Sequence, residues 1–267
     1  MNPLDELDPK YRLILCDVWG VVHDGVTLYP GAAERLRRWR GEGRFVCLIT
    51  NAPRTAEAVT RQLERIGLPR DCWDGIATSG EAGIEALNRL GEPVGFVGTR
   101  GDLAILESRG VRIAQAEDFI DLACTGVTED RLDPQDYCAD LERWAERDVR
   151  MHCLNPDRVV MRGGVLEACA GAIADLYEGL GGRVTWYGKP HPTIYGHALH
   201  LAGDPPPSEV LAVGDGLQTD SLGAARMGFD AIFVSGGIHA GEPFPADFAK
   251  RYALGDWRPV GVVEGLA

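Results

Sequence analysis

The stretch Leu13–Gly25, LILCDVWGVVHDG, decides the fold and raises the functional question. An apolar run leads directly to the carboxylate of Asp17, which is typical of a buried parallel strand that ends on a polar group. Two residues later, where a second carboxylate would serve proton transfer, the chain has Trp19. The stretch therefore predicts a polar strand end and leaves open whether it is an active site or the remains of one.

Similar apolar runs and helical patterns alternate along the chain. Further strands are expected before Thr50, Gly188-Lys189, Gly214-Asp215 and Ser235–Gly237, and helices at 32–40, 55–66 and 192–202. This alternation predicts an α/β fold with a doubly wound parallel sheet, a Rossmann-like core. Ligands bind such sheets beyond the carboxyl ends of the strands, so we expect Asp17, Thr50, Lys189 and Asp215 at one edge.

The interval between the polar strand ends at Thr50 and Lys189 is long. Residues 80–184 carry strand-like and helical patterns of their own, such as VGFVG, RVVMRGG and VLEACAGAIADLYEGL. We therefore predict a core domain formed by residues 1–79 and 185–267 and an inserted α/β cap domain formed by residues 80–184.

Composition excludes several classes of function. The 267 residues are 45% hydrophobic, enough for a sizeable core, and the net charge of -13 argues against nucleic acid as a partner. No apolar run approaches the ~18 residues of a membrane span, and the polar N-terminus lacks a signal peptide's hydrophobic segment. We expect a cytoplasmic protein with no membrane partner.

The seven scattered cysteines include no CxxC pair and are expected to be reduced, packed thiols.

The polar strand ends suit phosphoryl chemistry. A carboxylate such as Asp17 can act as a nucleophile and form an aspartyl-phosphate, with Lys189 as a nearby cation. The loop GDGLQTD supplies Asp215 and Asp220, hard oxygen ligands of the kind that bind Mg²⁺ together with water and substrate phosphate. Thr50 offers a hydroxyl to a phosphoryl oxygen, and Asn51 a neighbouring amide.

In these motifs the chain resembles the haloacid dehalogenase (HAD) superfamily, class IIA, the NagD-like phosphatases that include pyridoxal and p-nitrophenyl phosphatases. The matching segments, in chain order, are Asp17 with Gly20-Val21, Ile49–Asn51, Thr78–Gly80, Asn155–Asp157, Gly188–Pro190 and Gly214–Asp220. The resemblance spans nearly the whole chain and implies a HAD core with a C2-type cap.

The resemblance also implies residue roles. Asp17 would be the nucleophile, and Thr50 and Lys189 would hold the transferring phosphoryl group. The expected Mg²⁺ ligands are the carboxylates of Asp17, Asp215 and Asp220, the last directly or as support, and the backbone carbonyl of Trp19. The substrate would be a small phosphorylated metabolite, and a homodimer through the cap is a further expectation.

Two more polar side chains are candidate substrate contacts besides Asn51. Arg54 would anchor substrate charge, although a solvated arginine in the first turn of a helix fits the sequence equally well. Asp157 would contact substrate from the cap, although Asn-Pro-Asp also favours a simple turn.

Trp19 departs from the family pattern, which has an aspartate there that protonates the leaving oxygen. Indole cannot exchange a proton in this way, and loss of a general acid–base costs ~10² to 10⁴ in rate. His23 and Asp24 are the nearest substitutes, unless they only form a polar turn. Two alternatives stay open: a regulatory module that binds Mg²⁺ and phosphate without turnover, and a dehalogenase, which would leave the metal ligands unexplained.

Overall fold

Strands and helices alternate along the computed structural model, which describes residues 2–162, 165–237 and 243–267. The strands of these residues are β1 (Leu13–Asp17), β2 (Phe45–Thr50), β3 (Gly75–Thr78), β4 (Gly95–Val97), β5 (Asp121–Cys124), β6 (Arg150–Cys153), β7 (Val159–Arg162), β8 (Val165–Ala168), β9 (Arg183–Trp186), β10 (Val210–Gly214), β11 (Asp230–Val234) and β12 (Gly261–Val263). The α-helices are α1 (Ala32–Gly41), α2 (Ala56–Ile66), α3 (Ser79–Leu90), α4 (Arg100–Ser108), α5 (Cys138–Glu146), α6 (Ala170–Gly179), α7 (Pro192–Leu201), α8 (Leu222–Met227) and α9 (Phe248–Arg251).

The chain divides into two compact units. The first contains Met1–Thr50, Ala56–Ala77 and Lys189–Ala267, and the second contains Asn51–Thr55 and Thr78–Gly188. Within the described ranges, no helix is both long enough and apolar enough to cross a membrane.

The first unit is built on a six-stranded sheet with the order β12-β11-β10-β1-β2-β3. The ladders that join β12 through to β2 are all parallel. Chain order reverses between β1 and β10, and this switch point is where open parallel sheets bind ligands. The predicted α/β fold with a parallel core sheet is confirmed.

Both faces of this sheet are covered, as β2 shows. Cys47 and Ile49 belong to one buried apolar cluster with Ile194 of α7. Because side chains alternate along a strand, Val46 and Leu48 point to the opposite face, where they are also fully buried. A strand buried on both faces reads as a continuous apolar run, and this is the signal that its sequence, FVCLI, carried.

The second unit contains a parallel sheet with the order β4-β5-β6-β9 and a separate antiparallel hairpin of β7 and β8. Leu122 of β5, Met151 of β6 and Ile173 of α6 share its buried cluster. The apolar run before Lys189 forms β9, which pairs with β6. The expectation that this strand lies in the same sheet as β1 is therefore wrong, because an apolar run does not specify its neighbours.

Candidate active site

Three buried carboxylates meet at the carboxyl edge of the first sheet. Asp17 is the last residue of β1, Asp215 follows β10 directly, and Asp220 lies in the π-helical turn Leu217–Ser221. Ligand oxygens of the three lie within 4.8 Å of one another. The parallel pairing of Cys16 with Val213 explains why residues about 200 positions apart meet here, since the two strands end side by side. The site joins Asp17, Asp215 and Asp220 as the sequence suggested.

Lys189 lies within the same cluster. Its ammonium donates hydrogen bonds to Asp17 Oδ1 at 2.5 Å and to Asp220 Oδ1 at 2.8 Å, and its side chain is 4% exposed. Burial opposes its charge, but the carboxylates of Asp17 and Asp220 raise the pKa of Lys189 above its usual value. Lys189 is therefore a fixed cation at the centre of the site.

The Asp17 carboxyl is buried beside two other negatively charged side chains. Burial raises its pKa well above the usual range, the Asp220 and Asp215 charges add to this, and the Lys189 ammonium opposes it. Three carboxylates against one ammonium leave the cluster with an excess of negative charge. A second cation at this position would relieve the excess and favour the ionised form of Asp17.

The two oxygens of Asp17 have different surroundings. Oδ1 accepts the Val18 N–H at 2.7 Å in addition to the Lys189 ammonium. Oδ2 accepts no hydrogen bond from the parts of the chain that the structure describes. Oδ1 is thus used for orientation, and Oδ2 keeps its lone pairs for a ligand or a reacting atom.

Asp220 is held by its own turn. Its Oδ2 accepts the Gly216 N–H at 3.1 Å and the Thr219 hydroxyl at 3.2 Å, while Oδ1 accepts Lys189. Asp220 does not cap the helix α8 that follows, because its side-chain contacts point back into the loop.

Two glycines that were named in the sequence without a role of their own, Gly20 and Gly237, border Asp215. A Cβ at Gly20 or at Gly237 would overlap the Asp215 carboxylate. Gly20 follows β1 and has φ +80°, whereas Gly237 follows β11, so backbone from two loops approaches the same side chain. In the sequence, each of the two glycines lies a few residues beyond the end of a strand.

Thr50 and the candidate substrate contacts occupy different parts of the chain. Thr50 is buried at the end of β2, and Ile49, the residue before it, pairs with Asp17 of β1. Asn51 and Asp157 belong to the second unit, where the Asn51 amide donates to Asp157 Oδ1 at 2.8 Å. Arg54 also lies there, and its backbone carbonyl accepts the Thr78 hydroxyl. The contact between Asn51 and Asp157 spans 106 positions and left no local signal in the sequence.

Trp19 packs on the loop that follows it. Its side chain is 36% exposed, and a Cβ at Gly25 would overlap its six-membered ring. His23 is fully buried against it, with ring centroids 5.1 Å apart and the planes at 67°. The Gly25 N–H donates to His23 Nδ1 at 2.8 Å, and His23 Nε2 is buried with no hydrogen-bond partner in the described residues. Burial lowers the pKa of His23, so its imidazole is neutral.

Asp24 is exposed and is used by its own turn. Its carboxylate accepts the N–H groups of Val26 and Thr27 at 2.9 and 2.7 Å. These bonds, led by Thr27, lower its pKa. A carboxyl with a lowered pKa is ionised near neutral pH and carries no proton to donate, which disfavours Asp24 as a replacement acid.

Comparison with known proteins identifies the family. Residues 14–112 match the model of haloacid dehalogenase-like hydrolases, and residues 186–266 match a second, HAD-hydrolase-like model. The ribonucleotide monophosphatase NagD of Escherichia coli K12 is 31% identical over 231 residues, which cover 84% of this chain and 88% of NagD. The chain belongs to the haloacid dehalogenase-like hydrolases. The resemblance to the NagD-like group of this family is thereby confirmed.

Other members of the haloacid dehalogenase-like family align over the same length. An acid sugar phosphatase of Staphylococcus saprophyticus is 25% identical over 87% of this chain and 90% of its own length. The crystal structure of a haloacid dehalogenase-like hydrolase from Brucella suis 1330 superposes with a TM-score of 0.86, with 34% identity and complete coverage of both chains. The Brucella suis hydrolase therefore shares the fold of this chain over its full length.

Proposed function

We propose that this hydrolase is a Mg²⁺-dependent phosphatase that cleaves a small phosphorylated metabolite through an aspartyl-phosphate on Asp17. The observation that carries the proposal is the buried cluster of three carboxylates around the Lys189 ammonium at the edge of the sheet. The names of the relatives support it, since one is a nucleotide monophosphatase and another a sugar phosphatase.

The donor set fits Mg²⁺. Asp17, Asp215 and Asp220 present only oxygen ligands, which Mg²⁺ prefers, and their charge exceeds that of Lys189. These three carboxylates would hold the ion, with the backbone carbonyl of Trp19 as a further ligand. When bound, Mg²⁺ would supply charge neutralisation and polarise the phosphoryl oxygens.

The protein's own groups then account for both halves of the reaction. Asp17 Oδ2 forms a bond to phosphorus while the bond to the leaving oxygen breaks, and that oxygen takes the electron pair. Lys189 and the Thr50 hydroxyl hold the phosphoryl oxygens as charge shifts. Water then attacks phosphorus, the bond to Asp17 Oδ2 breaks with its electron pair returning to the carboxylate, and inorganic phosphate is released. The proton that the water gives up balances, through solvent, the proton taken up by the leaving oxygen of the first half.

The candidate substrate contacts would serve recognition. Asn51, Arg54 and Asp157 combine an amide, a cation and a carboxylate on the second unit. The Asn51–Asp157 hydrogen bond fixes the orientation of that amide relative to the carboxylate.

A screen with Asp17→Asn as its control tests the proposal. Purified protein with Mg²⁺ should release phosphate from at least one compound among sugar phosphates, nucleotides, pyridoxal phosphate and aryl phosphates. Asp17→Asn is nearly isosteric but lacks the nucleophilic anion, so its turnover should fall by at least ~10³ with an unchanged circular dichroism spectrum. Activity near wild type in a clean Asp17→Asn preparation would remove Asp17 from the mechanism.

A second candidate function rests on Trp19 alone. If the missing acid has abolished turnover, the protein would be a regulatory module that still binds Mg²⁺ and phosphate compounds. Calorimetric titration beside the phosphate-release assay separates the two, because tight Mg²⁺-dependent binding without phosphate release favours the module. Halide release from 2-haloacids in EDTA would instead favour the dehalogenase.

A further inference from the structure

We propose that Trp19, supported by His23 and Gly25, is an aromatic platform that selects phosphorylated compounds with a planar aromatic group next to the phosphate. This inference rests on the proposed function and adds a substrate class to it. It gives the residue that stands in place of a carboxylate a role of its own in specificity.

Trp19 lies next to the carboxylate cluster. Asp17 precedes it by two residues, and Gly20, its direct neighbour, borders the Asp215 carboxylate so closely that no side chain fits there. The backbone of Trp19 therefore runs along the cluster. A substrate phosphate bound at Asp17 would place its leaving group within reach of the side chains of this loop.

The indole is exposed although large aromatic side chains bury most of their surface. Trp39 and Trp73 of the same chain are 0% and 1% exposed, whereas Trp19 is 36% exposed. An exposed indole near a reactive cluster offers a planar surface on which the ring of a substrate can stack.

The loop fixes the indole from the other side. Gly25 has φ +96° and no Cβ, and both features are required for the Trp19 ring to lie against its backbone. The Gly25 N–H donates to His23 Nδ1, so the proton of the neutral ring is on Nε2. Nε2 has no hydrogen-bond partner in the described ranges, and the His23 ring packs against the indole in a T-shaped arrangement. His23 and Gly25 thus hold part of the indole, and Trp19 keeps 36% of its surface exposed.

The chemistry of such a surface favours planar aromatic groups. Offset stacking of an aromatic ring on indole strengthens binding by up to about tenfold beyond the contact area alone, and an aliphatic group gains no such term. A ring also stabilises the departing anion of an aryl phosphate, which suits a site without a general acid. Recognition and leaving-group chemistry therefore favour the same substrates.

Benzoyl phosphate and acetyl phosphate form a matched pair for the test, because both are acyl phosphates and only one has a ring. The wild type should show a kcat/KM ratio of about 10 in favour of benzoyl phosphate. Trp19→Leu should bring this ratio close to 1, and Trp19→Phe should keep most of it. Val26→Ala, at an exposed position in the same loop, is the control and should leave the ratio unchanged.

A binding measurement separates this inference from the proposed function. Phenylphosphonate should bind wild-type protein with Mg²⁺ about tenfold more tightly than methylphosphonate in calorimetry. Equal affinities, or equal hydrolysis ratios in wild type and Trp19→Leu, would overturn the platform and leave the phosphatase intact. Tight phenylphosphonate binding without hydrolysis of either acyl phosphate would overturn the phosphatase and leave the platform.

Discussion

At the scale of single residues, the proposed reaction makes the side chain at position 19 decisive for whether the leaving oxygen is protonated as it departs. Because indole cannot donate a proton to oxygen, aryl and acyl phosphates should be cleaved far better than alkyl phosphates. Trp19→Asp should raise alkyl turnover by up to ~10² and narrow this gap. Steady-state rates on matched aryl and alkyl phosphates check this. A flat leaving-group dependence in the wild type, with no gain in the mutant, would mean that another group supplies the proton.

Lys189 is the second residue whose removal should be diagnostic. Lys189→Met leaves buried carboxylates without their cation, so the free energy of unfolding should fall by ~3 kcal/mol and kcat/KM by at least ~10². Urea unfolding without Mg²⁺ and steady-state kinetics measure the two effects. Lys10→Met is the matched control, because Lys10 forms a salt bridge with Asp230 at a similar distance on the surface. Equal stability of the two variants would contradict the role of Lys189 in balancing this charge.

At the scale of elements, the loops after β1 and β11 each bring a glycine, which has no side chain, against the Asp215 carboxylate. In Gly237→Ala the new methyl group would overlap the Asp215 carboxylate, so either the carboxylate or the loop has to move. We expect kcat to fall at least ~10-fold and the apparent Mg²⁺ affinity to weaken. The measurement is a Mg²⁺ titration of the rate.

Gly196→Ala is the control for this substitution. Gly196 lies in α7, where a Cβ meets no atom within 4 Å, and alanine there should raise helix stability slightly without changing kinetics. If Gly237→Ala behaved in the same way, the contact of this loop with Asp215 would have no functional weight.

The same loops show what the sequence could and could not predict. The core strands β1, β2 and β10 were predictable because each is a buried apolar run that ends on, or is directly followed by, a polar residue. The sheet partner of β9 was not, since periodicity carries no information on neighbours. β12 contains three residues and gives almost no pattern at all. In VLEACAGAIADLYEGL the first four residues form β8, and the helix α6 begins only at Ala170.

At the scale of the whole molecule, contacts distant in sequence explain what was missed at the candidate site. The motif residues Asp17 and Asp215 were expected to meet because parallel strands end at one edge. The burial of His23 depends on the shape of its loop, and the hydrogen bond of Asn51 with Asp157 depends on folding of the inserted segment. Such contacts follow from tertiary structure, whereas single-sequence patterns report only local preferences.

The charge of the cluster also predicts how the entire fold responds to metal. An ion that binds only the folded site stabilises it by an amount that grows with concentration, about 2.7 kcal/mol at 100 times Kd. For a chain of this size, Mg²⁺ should then raise the melting temperature by roughly 5 to 10 °C relative to EDTA. Calorimetry should place the shift in the transition of the first unit, which contains all three carboxylates. Asp215→Asn should lose most of it, whereas Asp247→Asn, at an exposed carboxylate paired with Arg251, should keep it. An equal shift in both variants would place the stabilising ion elsewhere on this acidic protein and remove the strongest physical argument for a metal at the strand ends.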